Sequence, residues 1–215
     1  MTIYNDEFSA YINSLFVPED AALRRAREDS PKRGLPAIQI KPEEGRFLQF
    51  LVRACGAQKA LEIGTLGGYS GIWIARGLSP GGRLITLEVE PLHAQVAAEH
   101  FAAAGVAERI EIRVGNAHDL LKSLPAEGPF DFIFIDAEKT GYPRYLDWAL
   151  ENIRLNGVIA VHNAFRKGSV AGLVEPDKHT AITQEFNRRF AGESRLLSTI
   201  FPAGDGMLVG VKVSN

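Results

Sequence analysis

A turn rich in glycine separates a short apolar run from a helical pattern in the first third of the chain. Glu62 and Gly64 end the run KALEIG, and Gly67 and Gly68 follow before the helical pattern begins. Glycines at a strand-to-helix turn let the backbone approach a ligand, and a helix N-terminus offers free N–H groups. Leu66 stands where the dinucleotide fingerprint G-x-G-x-x-G needs its middle glycine. The turn predicts a small-molecule site, with a tight turn that binds nothing as the alternative.

Acidic residues end two further apolar runs. Glu88 closes RLITLE and lies 24 residues after Gly64, and Asp136 closes FDFIFID. Ligands of open α/β sheets bind beyond the carboxyl ends of the strands, where an acid after the second strand meets ribose hydroxyls. The two acids and the glycine turn are therefore expected to share one edge of a sheet.

Strand and helix patterns alternate from residue 43 onward, which predicts an α/β fold with a mostly parallel sheet between helices, a Rossmann-like three-layer sandwich. Helical spacing is predicted over 145–157 and a strand over 157–163, and 195–201 and 207–214 form a closing strand pair. We expect a single domain over 1–215. Residues 1–42 are interpreted as an N-terminal helical extension and lid, whose second helix, 19–29, is mostly solvated.

The composition excludes several classes of protein. Lys and Arg number 24 against 26 Asp and Glu, so the formal charge of −2 argues against binding nucleic acid through phosphate neutralisation. A single cysteine, Cys55, permits no internal disulfide and fits a reducing compartment. No signal peptide or membrane-length apolar run is recognised, so a cytoplasmic enzyme with no membrane partner is expected.

Two segments carry a resemblance to a known family. Glu62 to Ser70 resembles motif I of class I S-adenosylmethionine-dependent methyltransferases. Phe134 to Lys139, Tyr142, Tyr145 and the segment from Gly157 to Asn163 resemble the metal-dependent O-methyltransferases of the catechol and caffeoyl-CoA type. The resemblance covers about residues 35–215. It implies seven strands with one antiparallel strand near the C-terminus.

The resemblance also implies site residues. Lys139 matches the proton-accepting lysine, and Asp136 and His162 complete the catalytic set. Ser70 is expected to meet the carboxylate of S-adenosylmethionine, Glu88 its ribose and Ala117 with His118 its adenine. The full cofactor-binding set is Ile40, Glu62, Gly64, Thr65, Gly68, Tyr69, Ser70, Glu88, Val89, Ala117, His118 and Asp136.

The implied metal site, Asp136, His162 and Asn163, departs from the family at His162, where aspartate is usual. A divalent cation lowers the pKa of a catechol hydroxyl and orients it, after which a lysine can take the proton. Three interpretations of His162 stay open. It binds Mn, Co or Zn in preference to Mg, it replaces the metal as a base or hydrogen-bond donor, or it is a structural residue of a site without metal-dependent activity.

The expected function is transfer of a methyl group from S-adenosylmethionine to a hydroxyl of a small aromatic, catechol-like or hydroxycinnamoyl-like, metal-assisted with Lys139 as base. The alternatives are a metal-independent methyltransferase with His162 as base, a non-catalytic cofactor-binding homologue and an NAD-dependent oxidoreductase. A homodimer is expected from the family.

Several further side chains have a more modest interpretation. Asp131 is expected to bind backbone at a strand start, and Asp205 is a weak substrate-side candidate. Arg166 and Lys167 fit either an anionic substrate or a solvated loop. Three histidines are interpreted as surface residues: His93, His100 and His179.

Overall fold

One seven-stranded sheet forms the centre of the computed structural model, which describes residues 5–215. Its strands are β1 (Lys59–Ile63), β2 (Arg83–Glu88), β3 (Ile110–Val114), β4 (Phe130–Ile135), β5 (Ile153–His162), β6 (Leu196–Phe201) and β7 (Met207–Lys212). Their order across the sheet is β3-β2-β1-β4-β5-β7-β6. Strand β7 runs antiparallel to both of its neighbours, and the other pairings are parallel. The predicted fold, including its one antiparallel strand, is confirmed.

Helices cover both faces of the sheet. They are α1 (Asp6–Phe16), α2 (Ala21–Lys32), α3 (Pro42–Ala54), α4 (Tyr69–Gly77), α5 (Pro91–Ala103), α6 (Ala117–Leu120), α7 (Tyr142–Asn152) and α8 (Thr180–Ala191). Side chains of a strand alternate between faces. Phe132 and Phe134 therefore pack with α3, α4 and α5, and Ile133 and Ile135 pack with α7 and α8.

The second N-terminal helix is more deeply packed than predicted. Leu23, Ala26 and Ser30 of α2 are buried, while six of the twelve residues of this helix are exposed. Its charged residues occupy one side of the helix and leave an apolar stripe, which faces the core. Asp20 caps this helix by accepting a hydrogen bond from the Leu23 amide at 3.0 Å.

The helix predicted over 145–157 ends earlier. Helix α7 stops at Asn152, and Ile153 already pairs with Phe130 of β4. The helical spacing continues past this point, but pairing with a buried strand overrides it. The chain then turns at Asn156, whose φ is +62°, before the strand predicted at 157 continues to His162.

Within residues 5–215, none of the helices is long and apolar enough to cross a membrane.

Candidate active site

The glycine turn lies at the carboxyl end of β1 and requires glycine at two positions. Gly64 has a φ of +101°, and a Cβ there would lie 2.3 Å from the Asp136 carbonyl oxygen. Gly68 has a φ of +81° and is the N-cap of α4, where a Cβ would lie 2.6 Å from the Phe101 ring. The turn thus brings the ends of β1 and β4 together and leaves the N-terminus of α4 facing a cavity.

That cavity has a volume of about 1140 Å³ and runs along the carboxyl edge of the sheet. Most of the residues predicted from the resemblance line it: Ile40, Gly64, Thr65, Tyr69, Ser70, Glu88, Val89, Ala117, Asp136, Lys139, His162 and Asn163. Glu62, Gly68 and His118 stand behind this lining. The His118 ring stacks on Tyr145 with centroids 4.5 Å apart, and Tyr145 itself lines the cavity.

The carboxylates of β1 and β2, Glu62 and Glu88, are held by neutral donors. Glu62 is fully buried and accepts hydrogen bonds from Ser70 Oγ at 2.5 Å and Thr86 Oγ1 at 2.7 Å. Burial raises the pKa of Glu62 to about 7, although both hydrogen bonds favour the ionised form. Glu88 Oε2 accepts the amide hydrogens of Thr65 and Leu66 at 3.2 and 2.7 Å. Glu88 therefore braces the glycine turn.

Two hydrogen bonds from outside the sheet hold the same turn in place, one with Glu19 and one with His100 of α5. The Tyr69 hydroxyl donates to Glu19 at 2.6 Å, just before α2 begins. His100 is 1% exposed, with Nδ1 2.8 Å from the Gly67 carbonyl oxygen and Nε2 3.4 Å from Asp29. The prediction that His100 is a surface residue is wrong, because α5 turns its ring inward toward α2.

Basic side chains surround the Asp136 carboxylate. Lys139 Nζ lies 3.3 Å from Asp136 Oδ1 and 3.2 Å from the Ala137 carbonyl oxygen. It also contacts the Tyr142 hydroxyl, which donates to the His162 carbonyl oxygen at 3.2 Å. Burial alone would raise the pKa of Asp136, but the adjacent His162 and Lys139 lower it to about 2. Asp136 is thus an anion between two basic groups.

His162 stands between two carboxyl groups. Its Nδ1 is 3.1 Å from Asp136 Oδ2 and its Nε2 is 2.9 Å from Glu44 Oε1. Burial disfavours the charged ring, but the charge of Asp136 and hydrogen bonds to Asp136 and Glu44 raise the pKa of His162 to about 10. Sequence reasoning missed Glu44. It lies in the first turn of α3, where acids ordinarily serve the helix terminus.

The side chains expected to bind a divalent cation do not fit one as they stand. Both His162 nitrogens and both Asp136 oxygens are engaged in the cluster, and Asn163 donates its amide hydrogen to Asp205 at 2.9 Å. A metal ligand must direct a lone pair at the ion, and each ring nitrogen of His162 is directed at a carboxyl oxygen instead. Over the described residues, no group of three or more His, Cys, Asp or Glu side chains is arranged to hold a metal.

Two smaller predictions have clear structural counterparts. Asp131 accepts the backbone hydrogens of Gln58 and Lys59 at 2.8 and 2.7 Å, as expected for a strand-start residue. Asp205 accepts from Asn163 and from the Lys167 amide, so it organises the loop beside the cavity.

Comparisons with known proteins identify the family of this chain. Residues 7–213 match the O-methyltransferase family model, and the chain belongs to that family. It is 41% identical to the catechol O-methyltransferase of Niastella koreensis (94% of this chain, 90% of the relative) and 43% identical to that of Mycobacterium tuberculosis (87% and 84%). The crystal structure of the O-methyltransferase TomG from Streptomyces achromogenes, in complex with SAM and involved in tomaymycin synthesis, superposes with a TM-score of 0.88 at 37% identity (97% and 96%).

Proposed function

We propose that this chain transfers a methyl group from S-adenosylmethionine to a hydroxyl of a small, catechol-like aromatic. The observation that carries the proposal is the placement of Lys139 and the glycine turn in one cavity, with Asp136 between them. Relatives named catechol O-methyltransferase and a SAM-bound neighbour support the substrate class and the cofactor.

The residues of the cofactor side fit an aminoacyl nucleoside. The N-terminus of α4 favours a carboxylate, and the Glu88 carboxylate at the end of β2 is suited to ribose hydroxyls. Ala117 and the Tyr145 ring, backed by His118, offer a flat wall for adenine. When bound, S-adenosylmethionine supplies a methyl group on a positively charged sulfur.

Lys139 is the group best placed to take the proton from the substrate hydroxyl. Its amine faces the cavity beside Asp136, and Tyr142 holds it from the other side, with Nζ 4.5 Å from the ring centroid. Burial keeps the pKa of Tyr142 well above its ordinary value, so this hydroxyl remains a donor. His162 is a poor base, because each ring nitrogen already faces a carboxyl group. Lys139 must be uncharged when it accepts the proton.

Methyl transfer from radiolabelled S-adenosylmethionine to dihydroxyphenols tests the proposal, with monohydric phenols as the matched comparison. Label is expected in the methoxy product of the dihydroxyphenols. Calorimetry with S-adenosylmethionine and with NADH belongs to the same experiment. Tight S-adenosylmethionine binding without product from any phenol would favour a non-catalytic binder. Binding of NADH instead would favour an oxidoreductase.

We also infer a homodimer formed through the N-terminal helix and the edge strand. Tyr11 and Leu15 of α1, Phe50 of α3 and Leu197 of β6 are large apolar side chains that are more than half exposed. Phe47 connects α3 with β6 by stacking on Phe201, and it also stacks on Phe50 of its own helix. A second copy is the occupant that would bury this surface symmetrically. Light scattering of the wild type and of Leu197→Arg should report a dimer and a monomer, respectively.

A further inference from the structure

Two basic residues that the proposed reaction does not use, Arg166 and Lys167, line the same cavity as Lys139. They lie in the loop that follows β5, and we call them the basic pair. The backbone of this loop is left-handed at three residues other than glycine, with φ of +63° at Asn163, +47° at Arg166 and +54° at Lys167. Such conformations are unfavourable for residues with a Cβ, and they persist where the surrounding structure imposes them, commonly at ligand sites.

Hydrogen bonds from two directions hold this loop. From the turn before β7, the Asp205 carbonyl oxygen accepts the Phe165 amide hydrogen at 2.8 Å, and the Asp205 carboxylate accepts the amide hydrogen of Lys167. From α8, Asn187 Nδ2 donates to the Ala164 carbonyl oxygen at 2.8 Å. The backbone on either side of the basic pair is therefore fixed before any ligand binds.

The protein satisfies the Arg166 guanidinium only in part. The side chain is 21% exposed, and its Nη2 pairs with Asp177. Its Nε is buried, and nothing in residues 5–215 accepts a hydrogen bond from it. A buried N–H without an acceptor is costly, so this atom marks a place where a ligand can supply the acceptor.

The acids beside the basic pair do not supply that acceptor. Asp177 accepts from Arg166 Nη2 with Oδ2 and from the His179 amide with Oδ1 at 2.9 Å. The two oxygens of Asp205 accept from Asn163 Nδ2 and from the Lys167 amide. Each of these carboxylate oxygens thus has a donor from the protein.

The donors that remain in this part of the wall are basic. Lys167 is exposed, and its amine forms neither an ion pair nor a hydrogen bond with the described part of the chain. Together with Arg166 Nε, it offers positive charge and N–H groups to whatever enters the cavity. A carboxylate is the small group that fits, because charge-assisted hydrogen bonds to its two oxygens satisfy a guanidinium best.

We propose that Arg166, assisted by Lys167, binds a carboxylate carried by the aromatic substrate, so that this chain prefers a carboxylated catechol to a neutral one. This inference rests on the proposed function and specifies its substrate class. Lys139 then meets the hydroxyl and Arg166 the carboxylate of one molecule in the same cavity. Arg166 decides between substrates and takes no part in the proton transfer.

The first test compares methyl transfer to a dihydroxybenzoate with transfer to its methyl ester, which keeps both hydroxyls and lacks the charge. The ratio of kcat/KM for the acid to that for the ester should fall about tenfold or more in Arg166→Met. Arg166→Lys keeps the charge without the planar fork and should retain part of the preference. Arg188→Met, which removes an exposed arginine of α8, should leave the ratio unchanged. The same ratio in Arg166→Met as in the wild type would overturn the proposal.

Asp177→Asn tests the same contact from the other side and leaves Arg166 in place, so it serves even if Arg166→Met does not fold. The amide oxygen can still accept the His179 amide hydrogen, but the charge that competes for Arg166 is gone. The KM for the dihydroxybenzoate should fall a few-fold. Asp147→Asn, at an exposed acid that pairs with Arg189, is the matched control. A weaker preference for the acid in Asp177→Asn than in the wild type would contradict the proposal.

A binding measurement separates this inference from the proposed function. Calorimetry with S-adenosylhomocysteine present should show tighter binding of the dihydroxybenzoate than of its ester, and Arg166→Met should abolish the difference. Methylation of both compounds with equal affinity would overturn the role of Arg166 and leave the proposed function intact. An Arg166-dependent preference in binding, with neither compound methylated, would support the carboxylate site and count against the proposed function.

Discussion

Two pairs of acidic side chains stand at or just behind the wall of the cavity, and the two pairs are held by different kinds of partner. Glu62 and Glu88 receive hydroxyl and backbone donors, which are neutral. Asp136 and Glu44 receive Lys139 and His162, which are basic. Burial raises the pKa of Glu62 to about 7 because its neutral donors offset burial only in part, whereas the basic neighbours His162 and Lys139 lower the pKa of Asp136 to about 2 despite burial. Burial alone therefore does not set the charge of a carboxyl group here.

We call the part of the cavity around Lys139 and Asp136 the reaction half and the part around Glu88 and the glycine turn the cofactor half, after the proposed function. The largest expected effect comes from the reaction half. Lys139→Met removes the proposed proton acceptor and should lower kcat by about 10²–10⁴-fold. The affinity for S-adenosylmethionine should hold, because the cofactor half does not use this amine. Steady-state kinetics and calorimetry measure both quantities, and Lys122→Met, which removes an exposed lysine, is the control. Equal kcat in the two variants would remove Lys139 from the mechanism.

In the cofactor half, the glycine turn should be the most sensitive point. Gly64→Ala places a Cβ 2.3 Å from the Asp136 carbonyl oxygen at a positive φ, and we expect a loss of about 3 kcal/mol or more in the free energy of unfolding. Gly105 also has a positive φ, +68°, but there is open space around the Cβ that Gly105→Ala would add, so strain alone should cost about 1 kcal/mol. Urea denaturation gives both values. Similar losses would mean that close contact with Asp136 is unimportant.

The contrast in pKa predicts a pH dependence of stability for the cofactor half. Burial raises the folded-state pKa of Glu62 from its ordinary 4.5 to about 7, so protonation favours the fold. That stability is fully present below pH 4.5 and is lost as the pH rises through 7. Relative to Glu62→Gln, the wild type should lose on the order of 3 kcal/mol over this range.

Denaturation at pH 4.5, 6 and 8 checks this difference, with Glu108→Gln as the exposed control. A difference between wild type and Glu62→Gln that does not vary with pH would show that Glu62 keeps its ordinary pKa in the fold.

The smallest expected effect concerns the hydrogen bond that connects the glycine turn to the residues just before α2. Tyr69→Phe removes the hydrogen bond from the hydroxyl to Glu19 and should cost about 1 kcal/mol. It should also weaken S-adenosylmethionine binding a few-fold, since Tyr69 lines the cofactor side. Tyr11→Phe, at an exposed tyrosine of α1, should change neither quantity. Identical behaviour of the two variants would mean that Glu19 does not hold the turn.

The glycine turn was predictable because its chemistry is local. Gly64 and Gly68 follow a buried strand directly, and a helix must begin after them. The C-terminal end of α7 was less predictable. The spacing of apolar residues past Asn152 is helical, and only the pairing of Ile153 with Phe130 shows that a strand begins there. The burial of His100 was not predicted for a similar reason, because its partners Gly67 and Asp29 are distant in sequence.

The sequence by itself determined the alternation of strands and helices, the glycine turn and the presence of a histidine where the family resemblance predicts an acid. These features depend on residue type and short-range order, which the chain carries in its spacing. Only the tertiary structure decided the partners of His162. Glu44 is 118 residues away in the chain and reaches the ring at 2.9 Å because α3 packs over the end of the sheet. The charge of a buried side chain depends on such neighbours, and no local pattern records them.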